Sequence, residues 1–387
     1  MRLSELADAM NTIAPTHLAE DWDNVGLLVG DPSRALLGPA LLAIDLTPAV
    51  LQEAVALRAD AIVAYHPPIF TPLKRLTAHS PRSTTLLHLI EHKIALYSPH
   101  TALDAAPDGL TDWLVDQLAT DDATPNAGRD RAALTASSSI NPLQTHKIVT
   151  FLPRDDVERV RDALAAAGAG VIGNYELCSF TLEGQGSFRG NDRSNPTVGR
   201  PNRLELVPEA RLEITCGCAS LPAAIDALRA THPYEEPAFD LYTLTPKPTR
   251  TTGQGRIITL DTPATTEHIA QRLKQRLHLE SILIATPDPS PRGSSTRALV
   301  KRPAAVPGSG AALLDQAIDA GADCFITGEM KHHEVLNALD RNCTVILAGH
   351  TETERPYLHT LAARLNAINP AFRATPSKAD APALRAT

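Results

Sequence analysis

The stretch Ala61–Phe70, AIVAYHPPIF, joins a short apolar run to a histidine and two prolines. The run AIVAY has the length and composition of a buried strand. Pro67 and Pro68 cannot extend a hydrogen-bonded ladder, so they end the strand and leave His66 at its carboxyl end. Ligands of open α/β sheets bind beyond the carboxyl ends of the strands. His66 is therefore a candidate ligand, although a single histidine at a strand end is more often a hydrogen-bonded structural residue.

The neighbouring segments repeat this pattern of strand and helix. ALLAIDL (Ala40–Leu46) and IALYS (Ile94–Ser98) are also apolar runs of strand length, and a helical pattern separates each of them from AIVAY. Thr47 and Pro48 are typical of a helix N-cap and first turn. This succession predicts an α/β fold with a mostly parallel-sheet core and helices on both faces.

The composition changes in the middle of the chain. A polar, breaker-rich stretch, Ala119–Gln144, is typical of a linker, and a second breaker stretch covers Thr245–Arg256. The elements between them follow the order β–α–β–β–α–β, which is the ferredoxin-like plan. The α/β pattern then resumes. We therefore expect a split α/β core (1–130 plus 251–375), an inserted ferredoxin-like domain (145–246) and a disordered tail (376–387).

Three further predicted strands end in imidazole or carboxylate side chains. The first of these strands is followed by His100 and Asp104, the second by Glu329, His332 and His333, and the third by His350, Glu352 and Glu354. If all these strands lie in one parallel sheet, their carboxyl ends meet at one edge, and His66 lies there too. Such a repetition is poorly explained by chance.

His350 and Glu354 are four residues apart, so on a helix beginning after Gly349 they would share a face. Alone, such a pair is more often a surface ion pair. With His66 and Asp104 arriving from other strands, a divalent metal site is the better interpretation. Mixed imidazole and carboxylate ligands suit zinc, manganese or iron, and a carboxylate such as Asp104 could bridge two ions.

Other motifs are weaker signals. VPGSG (Val306–Gly310) could present backbone N–H groups to an anion, but before a helix it is more often a turn. THPYEEP (Thr231–Pro237) gathers a histidine and two glutamates in what is more simply a polar loop between prolines. His332 and His333 are adjacent, so a helix would turn them roughly 100° apart and at most one would face the site. DWDNVGLLVGD (Asp21–Asp31), with Trp22 and Asn24 near glycines, indicates a packed strand and turn beside the same edge, and a ligand-contact role is the alternative.

Composition limits the class of protein. The chain has 387 residues, 43% of them hydrophobic, and a formal net charge of −8, so nucleic acid is an unlikely partner. Five cysteines without CxxC spacing indicate reduced thiols. No apolar run approaches the ~18 residues of a membrane span, so we expect a cytoplasmic protein without a membrane partner.

Several of these motifs together resemble one family, the dinuclear-metal-centre proteins related to yeast NGG-one-interacting factor three, often named GTP cyclohydrolase 1 type 2 homologues. The segments that carry the resemblance, in the family's order, are DWDNVGLLVGD, YHPPIF, YSPHTALDAAPDG, IGNYELCSF, THPYEEPAFDLY, ITGEMKHHE and GHTETER. They cover nearly the whole chain except the tail. Singly they are moderate signals, and in this order they are specific.

The resemblance implies a site for one or two divalent ions per subunit (zinc, manganese or iron) in a toroidal homohexamer, a trimer of dimers. The family's ligands correspond to His66, Asp104, His350 and Glu354, and His100 matches a position close to the metals. The inserted segment resembles the CutA/PII-like module of longer members. Many bacterial members have two consecutive histidines where this chain has Tyr65 and His66. A phenol with a pKa of about 10 is a poor ligand, so the site would hold two ions of unequal affinity or only one.

The resemblance also implies an activity, a metal-dependent hydrolase acting on a nucleotide, with GTP the first candidate and C8 of its purine released as formate. Glu352 and His100 are the candidate catalytic groups for proton transfer. The alternative is a non-catalytic regulatory or interaction protein in which the metal is structural. An open coordination position would favour the hydrolase, and a closed one the regulatory protein.

Overall fold

The structure, a computed structural model, describes residues 1–118, 129–137, 143–245, 250–287 and 299–384. Its residues form two compact units: Met1–Ser137 together with Thr249–Thr387, called here the core unit, and Ser138–Pro248, called the inserted unit. The predicted ferredoxin-like segment, 145–246, lies within the bounds of the inserted unit.

The strands alternate with helices through most of the chain. Within the described ranges the strands are β1 (Gly26–Val29), β2 (Ala40–Ala43), β3 (Ala61–Ala64), β4 (Ala95–Ser98), β5 (Arg129–Ala136), β6 (His146–Leu152), β7 (Ser179–Phe188), β8 (Glu205–Cys216), β9 (Phe239–Thr243), β10 (Gly253–Thr259), β11 (Ala264–Thr265), β12 (Leu283–Ala285), β13 (Leu299–Val300), β14 (Pro303–Val306), β15 (Cys324–Thr327), β16 (Thr344–Leu347) and β17 (Thr375–Pro376).

The helices of the same ranges are α1 (Leu3–Ile13), α2 (Pro48–Ala56), α3 (Pro81–Glu91), α4 (His100–Ala105), α5 (Leu110–Asp116), α6 (Val157–Ala166), α7 (Leu221–Thr231), α8 (Thr266–Arg276), α9 (Leu314–Asp319), α10 (His332–Asp340) and α11 (Tyr357–Ile368). The Thr47 side chain accepts a hydrogen bond from the Val50 N–H at the start of α2, as the N-cap prediction required. None of the described helices combines the length and the apolarity that crossing a bilayer demands.

The core unit contains a five-stranded sheet in the order β1-β4-β3-β2-β17. Its strand pairs are parallel except β1 with β4. Every residue of β2, β3 and β4 is buried, because both faces are covered. Leu42 and Val63 pack with α1, α4 and α11 on one face, whereas Leu41 and Ile62 pack with α2 and α3 on the other.

A six-stranded sheet in the order β12-β16-β15-β14-β10-β5 forms the rest of the core unit, with the short pair β11-β13 beside it. Only β14, β15 and β16 run parallel to one another. Ile326 packs with α5 and α8, and Phe325 packs with α9 and α10 on the opposite face. The α/β fold is confirmed, but both sheets are mixed, and the strands that end in candidate ligands are divided between them rather than lying in one sheet.

Two strands of the six-stranded sheet lie in stretches that the sequence predicted as linkers. β5 falls within Ala119–Gln144, and β10 begins within Thr245–Arg256; residues 119–128 and 138–142 lie outside the described part of the chain. The two strands pair antiparallel, and Gly253 has a φ of +133° while the Thr135 carbonyl lies 2.0 Å from where its Cβ would be. The glycine that suggested a breaker is thus required by the close approach of a neighbouring strand.

The inserted unit has one sheet in the order β7-β8-β6-β9, with every pair antiparallel. Its elements follow the predicted succession β–α–β–β–α–β. Helices α6 and α7 pack on one face of the sheet around Ile148, Leu212 and Ile214. β7 is the edge strand and is largely exposed.

The tail differs from the expectation of disorder for residues 376–387, which are described as far as 384. β17 pairs with β2, and the Ser377 N–H donates to the Leu42 carbonyl at 2.7 Å. Asp380 is buried, where it accepts the Ile44 N–H at 2.9 Å and pairs with Arg355. These long-range contacts order a segment whose polar, Pro- and Ala-rich composition shows no periodicity.

Candidate metal centre

His66 projects from the carboxyl end of β3. The N–H groups of Tyr65 and His66 still donate to the carbonyls of Ala43 and Ile44 at 2.9 and 3.0 Å, so the ladder with the neighbouring strand continues to this point. Pro67 then ends it, as predicted. The Nδ1 atom of His66 lies 3.0 Å from Oδ1 of Asp45, which follows the adjacent strand β2.

His350 and Glu354 follow β16 in the other sheet. Gly349 takes a φ of +89° and so turns the chain at the strand end. Residues 350–356 form turns and α11 begins only at Tyr357, so no regular helix begins directly after Gly349. The Thr353 N–H nevertheless donates to the Gly349 carbonyl at 3.2 Å, as in a helical turn. His350 and Glu354 therefore still face one another.

The three side chains converge although they come from two sheets. Nε2 of His66 lies 3.6 Å from one carboxylate oxygen of Glu354, and Nε2 of His350 lies 3.5 Å from the other. One donor atom from each residue lies within 4.8 Å of the others, and the two imidazole rings are 5.5 Å apart. Two imidazole nitrogens and a carboxylate at this spacing are suited to a single divalent cation.

Each imidazole has its other nitrogen held by a carboxylate. Asp45 holds Nδ1 of His66, and Glu329 Oε1 lies 2.9 Å from Nδ1 of His350. Metal-ligating histidines characteristically have such a partner, which fixes the ring and directs the free nitrogen at the ion. Both Nε2 atoms are thereby directed towards Glu354.

Three observations test whether these residues fit a cation. Glu354 Oε2 is buried without a hydrogen-bond partner. Burial alone would lower the pKa of His66, but the hydrogen bond to Asp45 and the nearby carboxylate of Glu354 outweigh this and raise the pKa to about 10. A Cβ on Gly308 would lie 2.5 Å from Glu354 Oε1 and 3.2 Å from His350 Nε2, so this glycine keeps the centre open. A negative, uncrowded site with an unpaired carboxylate oxygen fits a cation.

Asp104, the fourth predicted ligand, is close to this group but not a member of it. Its Oδ1 accepts a hydrogen bond from the Tyr65 hydroxyl at 2.7 Å. Burial raises the pKa of Asp104 to about 7, although the nearby His100 opposes the increase. Burial also raises the pKa of Tyr65 well above its ordinary value, so the hydroxyl stays protonated and donates to Asp104.

His100 opens helix α4 with a φ of +27°, a strained value for a non-glycine residue. Its Nδ1 lies 2.8 Å from Asp23, which also accepts the Thr101 N–H at 3.1 Å. The His100 ring is 5.5 Å from the ring of His66 and 6.0 Å from the indole of Trp22. His100 therefore lies beside the centre, with its other nitrogen free of Asp23.

The other candidates are placed differently. Glu352 accepts the Thr351 hydroxyl at 3.5 Å and is not one of the three clustered residues. His332 and His333 are exposed at the start of α10, with rings 5.6 Å apart, and neither belongs to the group.

Sequence reasoning missed the residues that hold the ligands. Asp45 and Asp23 could have been found, because the first follows an apolar strand as His66 does and the second lies in the motif DWDNVGLLVGD. Arg256 gave no signal, since it lies in a predicted breaker stretch. It is buried, its Nε donates to Asp112 at 2.8 Å, and its Nη2 donates to the Ala105 carbonyl at 3.2 Å, which anchors α4.

The chain is similar to known proteins over most of its length. The sequence profile of Duf34/NIF3 (NGG1p interacting factor 3) matches residues 1–380. A Staphylococcus aureus protein named "GTP cyclohydrolase 1 type 2 homolog" is 32% identical over 352 residues, covering 90% of this chain and 89% of the relative. A Bacillus subtilis protein of the same name is 31% identical over 346 residues, covering 89% and 87%.

Solved structures show the same fold. A Staphylococcus aureus protein superimposes with a TM-score of 0.79 at 26% identity, covering 100% of this chain and 99% of the other. A Bacillus cereus protein described as related to NIF3 gives a TM-score of 0.68 at 29% identity, covering 98% and 97%.

Proposed function

The chain belongs to the Duf34/NIF3 (NGG1p interacting factor 3) family, and from this membership and the geometry of the centre we propose that it is a divalent-metal-dependent hydrolase. His66, His350 and Glu354 hold the ion, and zinc, manganese and iron are the candidates. Asp104, whose pKa is raised to about 7 and whose carboxylate accepts the Tyr65 hydroxyl, lies beside these three donors as a second carboxylate.

The observation that carries this proposal is the incomplete set of protein donors. Within the described part of the chain the group offers three donor residues. Catalytic sites characteristically combine three protein ligands with an open position, whereas structural sites are closed. The side chain of His350 is 35% exposed while that of Glu354 is only 3% exposed. The centre therefore has a buried carboxylate at its base and a side accessible to a substrate.

A bound divalent ion would supply Lewis acidity and lower the pKa of a coordinated water towards about 7. The chain's own residues do the rest. Asp45 and Glu329 orient the two imidazoles. His100, held at Nδ1 by Asp23, offers its Nε2 for moving a proton to or from the substrate, with Glu352 as the alternative group.

The substrate we propose is a nucleotide, and GTP is the first to test because the relatives carry the name GTP cyclohydrolase 1 type 2 homolog. Hydrolytic opening of the purine would release C8 as formate. The exposed ring of Trp22, which lies 5.8 Å from Phe70 and 6.0 Å from His100, is a suitable surface for a flat base.

The test is formate release from GTP by the full-length protein with manganese or zinc. We expect turnover that Glu354→Gln and Asp104→Ala abolish and that Glu91→Gln, an exposed control at the end of α3, leaves intact. Bound metal without turnover of any nucleotide would refute the hydrolase and favour the regulatory protein with a structural metal.

We further propose that the protein assembles into a closed homohexamer, as the family resemblance implies. Light scattering should then give six times the chain mass of 41.4 kDa. A monomeric or dimeric mass at micromolar concentration would contradict the ring without affecting the metal site.

A further inference from the structure

The inserted unit contains a cavity of about 630 Å³. Its walls are the second half of β7, residues of the loop that follows β7, Phe151 of β6, Glu209 and Arg211 of β8, and Tyr234, Glu235, Glu236 and Ala238. This volume lies in the range of small-molecule sites, which occupy roughly 300–1,000 Å³. All lining residues belong to the inserted unit, so the cavity is complete within it.

His232, from the polar loop THPYEEP, fixes two of these walls. Its Nε2 lies 3.1 Å from the Phe151 carbonyl, and the Tyr234 N–H lies 3.1 Å from its Nδ1. Burial lowers the pKa of His232, so the ring is neutral, donates through Nε2 and accepts through Nδ1. This histidine is therefore a structural tie between Phe151 and Tyr234.

The loop after β7 is tied to the same segment. The Asn195 N–H donates to Glu235 Oε2 at 3.0 Å, and the Thr197 hydroxyl donates to the Pro233 carbonyl at 2.9 Å. Because the walls are joined by these bonds, the cavity exists without a ligand and little ordering is needed on binding.

The lining is acidic. It contains the carboxylates Glu183, Glu209, Glu235 and Glu236. Arg211 is the cation among the lining residues; its Nε donates to Glu213 at 2.9 Å and its guanidinium lies 5.9 Å from the centre of the Phe151 ring. Thus the one lining guanidinium is already paired with a glutamate outside the lining. Glu183 in turn pairs with Arg154, which also lies outside the lining, so the carboxylates in excess are Glu209, Glu235 and Glu236.

Glu209 is the most precisely placed of these acids. Tyr234 donates its hydroxyl to Glu209 Oε1 at 2.7 Å. Glu209 Oε2 lies only 2.0 Å from where a Cβ on Gly186 would be, so the bare backbone of Gly186 makes room for the carboxylate. Phe188, Leu182 and Val198 contribute apolar surface to the same cavity.

We propose that this cavity is a second ligand site, which binds an organic ammonium ion with an aromatic or alkyl body. The ammonium group would pair with Glu209 and Glu235, and the aromatic walls would contact the body of the ligand, an arrangement that favours a cation over a neutral or anionic analogue. This site is separate in composition from the metal centre, none of whose residues lines it.

The test uses the full-length chain and 2-phenylethylamine, with 2-phenylethanol and 3-phenylpropionate as neutral and anionic analogues, followed by calorimetry and NMR. We expect saturable binding of the amine, at least tenfold weaker binding of the alcohol, and none of the propionate. A chelator should not change these results. Equal binding of amine and alcohol, or no saturable binding of the amine, would overturn the proposal.

Two variants make the test site-specific. Glu209→Gln retains the size and an acceptor for Tyr234, and should weaken amine binding at least tenfold, whereas Glu158→Gln, exposed on α6 outside the cavity, should not. Gly184→Leu places a side chain where a Cβ meets nothing within 4 Å, and should block the cavity without disturbing the fold. Unchanged amine affinity in both Glu209→Gln and Gly184→Leu would refute the site.

Discussion

The metal centre of the core unit and the cavity of the inserted unit both gather carboxylates, but they hold them differently. Glu354 is 3% exposed and has an oxygen without a partner, between two imidazoles held from behind by Asp45 and Glu329. The carboxylate of Glu209 is half-buried and already accepts the hydroxyl of Tyr234. A buried carboxylate oxygen without a hydrogen bond carries a desolvation cost that a bound cation removes, so the centre should select a small ion strongly and the cavity a larger cation weakly.

The largest effect should follow from removing the charge of Glu354. Glu354→Gln keeps the volume of the side chain but deprives the ion of its only anionic donor in the group of three. We expect the affinity for zinc or manganese to fall by more than about 100-fold. Replacing a residue that only hydrogen-bonds to a metal ligand typically lowers metal affinity by about 10–100-fold. Calorimetry with a competing chelator measures this, with Glu91→Gln as the control. If Glu354→Gln lost less metal affinity than Asp45→Asn, the assignment of Glu354 as a metal ligand would be contradicted.

Asp45→Asn should have the next largest effect, because it weakens the hold on Nδ1 of His66. Cation affinity should fall by about 10–100-fold, and in the metal-free protein the pKa of His66 should fall from about 10, since the Asp45 bond helps to raise it. NMR titration of the imidazole follows this pKa. Asp31→Asn, whose carboxylate accepts the N–H and the hydroxyl of Ser33, is the matched control and should change neither quantity.

Gly308→Ala should obstruct the centre without removing a ligand. Its Cβ would lie 2.5 Å from Glu354 Oε1, and the native φ of +61° is unfavourable for alanine. We expect cation affinity to fall about tenfold and stability to fall by about 1 kcal/mol or more. Gly321→Ala has a φ of +87° but only Arg302 nearby, so it should cost similar stability and leave affinity unchanged. Equal affinities of the two variants would refute the role of Gly308.

His232→Phe should leave cation affinity unchanged and affect only the inserted unit. The substitution removes the hydrogen bonds of His232 to the Phe151 carbonyl and the Tyr234 N–H, which should lower the free energy of unfolding by about 1–3 kcal/mol. Hydrogen exchange should show faster opening of the inserted unit but not of the core unit. Altered metal binding in this variant would contradict the independence of the two sites.

The lowered pKa of His232 should also make the stability of the inserted unit depend on pH. Because burial lowers its pKa, the unfolded chain binds more protons than the folded one below the ordinary value of about 6.5. The stability of the inserted unit should therefore fall as pH drops below that value. Denaturation curves at several pH values test this, and His232→Phe should reduce the slope.

The sequence was most informative where local chemistry determined the structure. Apolar runs ended by Pro67 or Gly349 marked the strand ends, and His66, His350 and Glu354 meet there. It was least informative where distant contacts decide. The division of these strands between two sheets, the pairing of β5 with β10, and the burial of Asp380 depend on partners far along the chain. Gly308 was described as a turn residue, because nothing local shows that its missing side chain faces Glu354.

The most direct test of the central claim is anomalous diffraction from crystals of the protein grown with zinc, recorded on both sides of the zinc edge. We predict one strong peak bonded to Nε2 of His66, Nε2 of His350 and the carboxylate of Glu354, with Zn–N distances of about 2.0–2.1 Å. No zinc peak among these three side chains, or zinc bound only elsewhere, would contradict the account.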